Sequence, residues 1–161
     1  MAGLKVTDVQ GTKVYLAPQG ADVADAAKIK TAITTAKQIG CLQSIGDITM
    51  SRAVQEYTCI SSDASTKSQG SVTLGNQEIS TLFNAADTAG QEDLIAMWDV
   101  KERRTFIIEL NDQITPTTGN PTYITYQVFV SNVSIAMAKD AAVLYNATLE
   151  ISSLPSMTLA S

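Results

Sequence analysis

The sequence predicts a mainly β domain in which one amphipathic helix packs on a sheet built by its chain neighbours. Three observations carry that expectation. Thr, Val and Ile are abundant, and residues are 45% hydrophobic but only 17% charged, so the surface is covered largely by Ser, Thr, Asn and Gln. Apolar and polar residues alternate along most of the chain, the period-two pattern of strands with one wet face. A secure helical pattern occurs in one stretch, Thr88 to about Arg103. At 161 residues the chain is expected to be a single domain, 1–161, with a sizeable core.

Residues 1–11 read as an N-terminal arm. The first strand is Thr12 to Ala17, where Val14 and Leu16 alternate with Lys13 and Tyr15 before Pro18 closes it. Asp22 to Lys30 suits a short helix, whereas the β-branched run Thr31-Ala-Ile-Thr-Thr suits a strand, so Gln19 to Lys37 is treated as irregular. Ile45 to Ile60 reads as strand interrupted near Ser51-Arg52-Ala53, with Ile48 and Met50 on the opposite parity to Asp47, Thr49 and Ser51. Ser61 to Gly70 is polar throughout and is predicted to be an exposed loop. In the short strand Ser71 to Gly75, Val72 and Leu74 point one way, Ser71 and Thr73 the other.

The helix has a legible start. Thr88 with Gln91 fits a capping box, and Asp87, Glu92 and Asp93 place negative charge at the positive end of the dipole. Leu94, Ile95, Met97 and Trp98 form one broad apolar face expected to cover the sheet. Lys101, Arg103 and Arg104 offset the dipole at the other end, and Gly90 in the first turn costs about 1 kcal/mol relative to Ala. A strand follows from Arg104 to Asn111, then a Pro- and Gly-rich turn from Ile114 to Pro121. In the longest strand, Thr122 to Ala138, apolar parity switches between Val130 and Val133. That phase slip at Ser131-Asn132 predicts a β-bulge or a bend between sheets. The last strand, Ala141 to Ser152, keeps Val143, Tyr145, Ala147, Leu149 and Ile151 on one side, and residues 155–161 form a C-terminal tail.

Composition excludes more chemistry than it suggests. Histidine is absent, which removes the commonest general base and zinc ligand. Cys41 and Cys59 could in principle pair, but two cysteines are a poor framework for a domain this large and the segment Met1-Ala-Gly-Leu-Lys-Val is no secretory signal, so free thiols are the expected state; neither has a partner base. The net charge of −5 opposes a nucleic-acid grip made of clustered Lys and Arg. No apolar run is long enough to span a membrane. Gly70 and Gly75 are not followed by the Lys-Ser/Thr of a phosphate loop. No catalytic, cofactor-binding or metal-ligating residue is assigned, and the chain is not expected to be an enzyme. Long strands with one hydroxyl- and amide-rich face suit a sheet that continues into a neighbouring copy, although a monomeric sandwich with a polar surface would share that composition.

From Thr12 to Pro155 the order of parts resembles the major tail tube proteins of long-tailed, siphovirus-like bacteriophages. The resemblance is carried by Ile45-Gly46-Asp47-Ile48-Thr49, the segment Ser68 to Gly75, and the helix after Asn84-Ala85-Ala86-Asp87. It continues in the strand Arg104 to Leu110, the Tyr123 to Ser134 strand with its Val-Phe-Val-Ser-Asn-Val core, and the strand Tyr145 to Ser152.

What the resemblance implies is a β-sandwich or partial barrel flanked by one α-helix. Six-membered rings would join their inner strands into a continuous barrel and stack into a hollow tube. DNA would pass through without specific binding, because a polar, non-basic wall does not neutralise phosphates. The implied partners are other copies of the chain and the tape measure, tail terminator and tail tip proteins. The implied location is the virion tail, assembled in the host cytoplasm, with no cofactor. Lumen-facing candidates are Asp47, Thr49, Ser51, Ser71, Thr73, Thr125 and Gln127. Ring stacking would use the 61–70 loop, with Asp63, Lys67 and Gln69, together with the two terminal arms. The alternatives are the tube of a contractile tail or secretion-type injection system, or a soluble ligand-binding β-sandwich. A single Trp at a helical core position speaks against the last of these.

Overall fold

The strand from Tyr123 to Ala136 organises the molecule. In the computed structural model, which describes residues 10–58, 60–61, 64–84, 86, 90–113 and 119–161, it is the eighth of ten strands. In chain order the elements are β1 (Lys13–Ala17), α1 (Ala26–Thr35), β2 (Lys37–Gln38), β3 (Leu42–Ile45), β4 (Met50–Thr58) and β5 (Ser65–Leu74). They continue with β6 (Asn76–Leu82), α2 (Gly90–Val100), β7 (Arg104–Glu109), β8 (Tyr123–Ala136), β9 (Leu144–Ile151) and β10 (Ser156–Thr158). The main sheet is antiparallel and ordered β2-β1-β7-β8-β9-β6-β3, with β10 beside the start of β8; β4 and β5 form a separate hairpin.

β8 changes neighbours halfway along. Tyr123 to Val128 pairs with β7, and Val128 to Ala136 pairs with β9. The register shifts between Val130 and Asn132, the phase slip that the sequence predicted at Ser131-Asn132. The extra residue returns Val133 to the apolar face, opposite Ala147, so both halves of β8 serve one core despite their opposite parities. The sheet thereby divides into a β2-β1-β7-β8 half and a β8-β9-β6-β3 half.

α2 fills the inner face through Leu94 and Met97, against Leu16, Phe106, Tyr126, Val128 and Leu149. α1 covers the opposite face of the first half, placing Ile29 and Ala32 on Tyr15, Ala17, Ile107 and Tyr123. β1 and β7 are therefore buried on both faces, which explains the nearly continuous apolar run Phe106-Ile107-Ile108.

α1 is a second helix, within a segment whose sequence predicts irregular structure. Asp25 caps it by accepting from the Lys28 N–H at 2.9 Å. The β-branched run does not break it, because the Thr31, Thr34 and Thr35 hydroxyls bond carbonyls three or four residues back. Propensity costs a few tenths of a kcal/mol per residue, whereas burying Ile29 returns about 2 kcal/mol. Tertiary packing decides the outcome.

Four further expectations are corrected. The strand expected from Ile45 to Ile60 breaks over residues 46–49, and from Ser65 the supposed 61–70 loop is strand. Its 65–69 part is uniformly polar because the outer part of the β4–β5 hairpin stands clear of the sheet with both faces wet, leaving no apolar alternation to read there. The α2 face is narrower than its sequence suggests. Leu94 and Met97 are fully buried, but Ile95 (39% exposed) and Trp98 (43%) lie about 100° around the helix from them. The C-terminal tail is docked, pairing β10 with β8 and exchanging two backbone hydrogen bonds between Ser161 and Asn120. The predicted cap residues Asp87 and Thr88, and most of the N-terminal arm, lie outside the described residues.

Candidate assembly surface

The second half-sheet has an edge on each side. Beyond Val128, β8 is paired only by β9, since β7 begins at Arg104 opposite Val128. At the other end β3 pairs only with β6. Among the described residues, four antiparallel strands thus present two open edges, a geometry that templates pairing with another chain.

Register makes one face of this half-sheet polar. Ser44, Ser80, Asn146 and Ser134 form a row across all four strands, and Glu78, Thr148 and Asn132 form the next. They line a shallow concavity of about 250 Å³. Ser80 Oγ donates to Asn146 Oδ1 at 2.6 Å, and Ser131 Oγ to Glu150 Oε1 at 3.0 Å. These rows contain hydroxyls, amides and the Glu78 carboxylate, with no Lys or Arg. The adjoining core row is Ile45, Ile79, Ala147 and Val133.

A buried polar bridge holds the β3 edge in place. Gln77 donates to the Gly46 carbonyl at 2.8 Å and accepts from the Tyr126 hydroxyl, and the Gly46 N–H donates to the Glu78 carbonyl at 2.6 Å. Burial pushes the Tyr126 hydroxyl well above its ordinary pKa, keeping it a donor. At the base of the hairpin, the Gly75 N–H donates to Thr49 O at 2.9 Å. A side chain on Gly75 would collide with the Thr49 hydroxyl.

The helix-start residues serve as clamps. Gln91 accepts from the Asn84 N–H at 3.0 Å and donates to Leu82 O at 2.7 Å, tying α2 to the end of β6. Asp93, with a side chain 8% exposed, takes Arg104 at 2.8 Å and Lys37 at 2.9 Å, joining α2 to β7 and β2. Glu102 also pairs with Arg104, at 3.1 Å.

The lumen candidates read from the sequence separate into two groups. Asp47, Thr49, Ser51, Ser71 and Thr73 are all exposed at the foot of the hairpin, where Ser51 and Thr73 are cross-strand partners. Thr125 and Gln127 lie on the first half of β8. Thr125 is 3% exposed, on the parity of Tyr123 beneath α1, and Gln127 is half-buried with its N–H bonded to Ser153 Oγ. Polarity alone suggested them, but Thr125 is buried in the subunit and Gln127 is half-buried. Of the stacking candidates, Lys67 and Gln69 are exposed on β5 opposite Glu56 and Val54, and Asp63 lies outside the described residues. The polar rows went unrecognised although Asn146, Thr148 and Glu150 alternate with the apolar residues that defined β9.

Among the described residues no three of His, Cys, Asp and Glu are grouped to hold a metal ion. The Cys41 thiol is free and exposed, while Cys59 lies outside the described residues. No described helix is long and apolar enough to cross a membrane.

No protein-family model matches the sequence, and no curated protein is significantly similar to it. Solved structures share its fold. The SPP1 tail tube superposes with a TM-score of 0.66 at 12% identity, over 95% of this chain and 79% of the other. A chain from the tail of an empty gene transfer agent particle, refined with C6 symmetry, gives 0.61 at 14% identity, over 95% and 99%. A chain from the sheath/tube terminator of an extracellular contractile injection system gives 0.68 at 14% identity, over 96% and 98%. These are structural components of tails and injection systems, and they share the mainly β fold expected from the sequence; within this chain the main sheet is antiparallel and open rather than closed into a barrel, and two helices flank it where one was expected.

Proposed function

We propose that this protein is the subunit of a hollow tail tube in a phage-like particle, with copies joined edge to edge into closed rings. The observation that carries the reading is the half-sheet with two open edges and one polar face. Four strands is an even number, so β3 of a second copy meets β8 antiparallel and the alternation continues around the ring. Closing the sheet on itself removes both edges. Six copies per ring match the C6 symmetry of the gene transfer agent tail.

Turned inward, the Ser44–Ser134 row with Glu78 and Glu150 makes a wall of neutral and acidic groups. DNA phosphates gain no counterion release from such a wall, so DNA slides through without being held. Thr49, Ser51, Ser71 and Thr73 extend this wall at the foot of the hairpin, and Asp47 stands beside them where β3 ends. The hairpin, standing clear of its own subunit, reaches the next ring with Lys67 and Gln69. Tape measure, terminator and tip proteins are the expected partners, in the tail of the particle and without a cofactor.

Likeness to a contractile injection system is as close as likeness to the SPP1 tube, so a sheathed tube is the second reading. A sheath around the tube in intact particles would select it.

Ile135→Lys tests the edge. Ile135 is 55% exposed at the open side of β8, so the subunit should keep its stability within about 0.5 kcal/mol. An edge charge blocks sheet addition. Sedimentation velocity should show rings or tubes for the unaltered chain and monomers for the variant. Unchanged assembly of the variant would refute edge closure.

A further inference from the structure

A groove of about 540 Å³ runs along the open edge of β8, lined by Trp98, Asp99, Lys101, Phe129 and Val130. Its floor is β8 just past the last residue paired with β7, where an added strand would lie. Trp98 is the only tryptophan of the chain and is 43% exposed, an expensive residue to leave half in water. Lys101 ends α2 in the left-handed conformation, with φ 56°. The Arg103 guanidinium stands 5.9 Å from the centre of the Phe129 ring, so two cations and Asp99 rim the groove.

We infer that this groove is the socket for the β3–Asp47 segment of a second copy, with Trp98 closing over the joint. The inference rests on the ring reading and adds its contact residues. β3 presents Leu42 and Ile45 toward the core side of the sheet, where both are partly buried in their own subunit. Laid beside the β8 of a neighbour, they continue the apolar surface of Val130 and Val133, and Trp98 covers them.

Direction is fixed by the antiparallel alternation. The chain leaving β3 at Ile45 runs toward the Phe129 end of β8, carrying Gly46 and the exposed Asp47 to Lys101 and Arg103. One acid entering a rim of two bases and one acid leaves the joint neutral. An occupant of another kind, such as a free apolar peptide, has no need of that carboxylate.

Because Trp98 is the sole tryptophan, its emission reports the socket directly. Tubes of the full chain, compared with the dilute unassembled chain, should show a blue-shifted emission and a severalfold fall in acrylamide quenching. Asp47→Lys and Arg103→Glu should each raise the concentration needed for assembly severalfold, and the double variant should recover most of that loss. Tubes in which Trp98 remains as quenchable as in the free chain would overturn the socket while leaving edge closure standing. So would a double variant no better than the worse single one. An unaltered chain that forms no ring or tube would overturn both readings.

Discussion

Gly90→Ala sets helix propensity against packing at one atom. Propensity favours Ala by up to about 1 kcal/mol, less in a first turn than in the helix interior. Packing predicts the reverse. A Cβ on Gly90 would lie 2.3 Å from the Gln38 carbonyl oxygen and 2.5 Å from Ile39 Cα, both backbone atoms that cannot rotate away. Restoring an ordinary contact of 3.4 Å moves the start of α2 outward by about 1 Å, the difference from 2.3 Å. Leu94 and Met97, fully buried one and two turns later, would be lifted from the core, and the Gln91 bond to Leu82 would stretch. Overpacking of this kind costs about 1–3 kcal/mol, and lengthening a buried hydrogen bond adds to it. The expected net destabilisation is about 2 kcal/mol, read as a lower urea midpoint with unchanged slope. A Gly90→Ala protein as stable as its parent, or more stable, would refute the seating of α2 on β2.

The Asp93 clamp and the buried tyrosines give two further outcomes. Arg104→Met leaves a nearly buried carboxylate with only the half-exposed Lys37, and should cost about 3 kcal/mol in urea unfolding. Lys37→Met should cost less than about 1 kcal/mol, because that partner is already screened by water. Equal losses would show that the two cations share the clamp. Burial, followed by the negative charges of Glu109 and Tyr15, pushes the Tyr123 hydroxyl up from 10.0 to about 12. The unfolded chain therefore loses that proton first. The stabilisation is intact below pH 10 and is lost as pH rises toward 12. Urea midpoints measured across that window should fall more steeply for the parent than for Tyr123→Phe, and parallel curves would count against the burial of this hydroxyl.

How much was legible depended on whether each pattern was set by neighbours in sequence or in space. The bulge in β8 was visible because a single inserted residue reverses apolar parity, and the burial of Leu94 and Met97 followed from helical spacing. α1 was obscured because its β-branched residues score poorly alone, and only the platform of Tyr15, Ile107 and Tyr123 rewards Ile29. The hairpin was hidden for the opposite reason. Beyond its base, where Val72 and Leu74 are partly buried, it has no buried face in the subunit and so no apolar alternation to read. Thr125 and the Ser44–Ser134 row are alike in polarity, and strand pairing alone decides that one is buried and the other open. Asp93 looked like a dipole acid, and its partners Lys37 and Arg104 are brought to it only by the fold.

Electron microscopy of the purified full-length chain at high concentration tests edge closure most directly. Hollow tubes of stacked rings are the expected result. In their averaged density the face bearing Ser44, Glu78, Asn146 and Glu150 should line the bore, and α1 should lie outside. A protein that stays monomeric at every concentration, or a tube with α1 lining its bore, would contradict it.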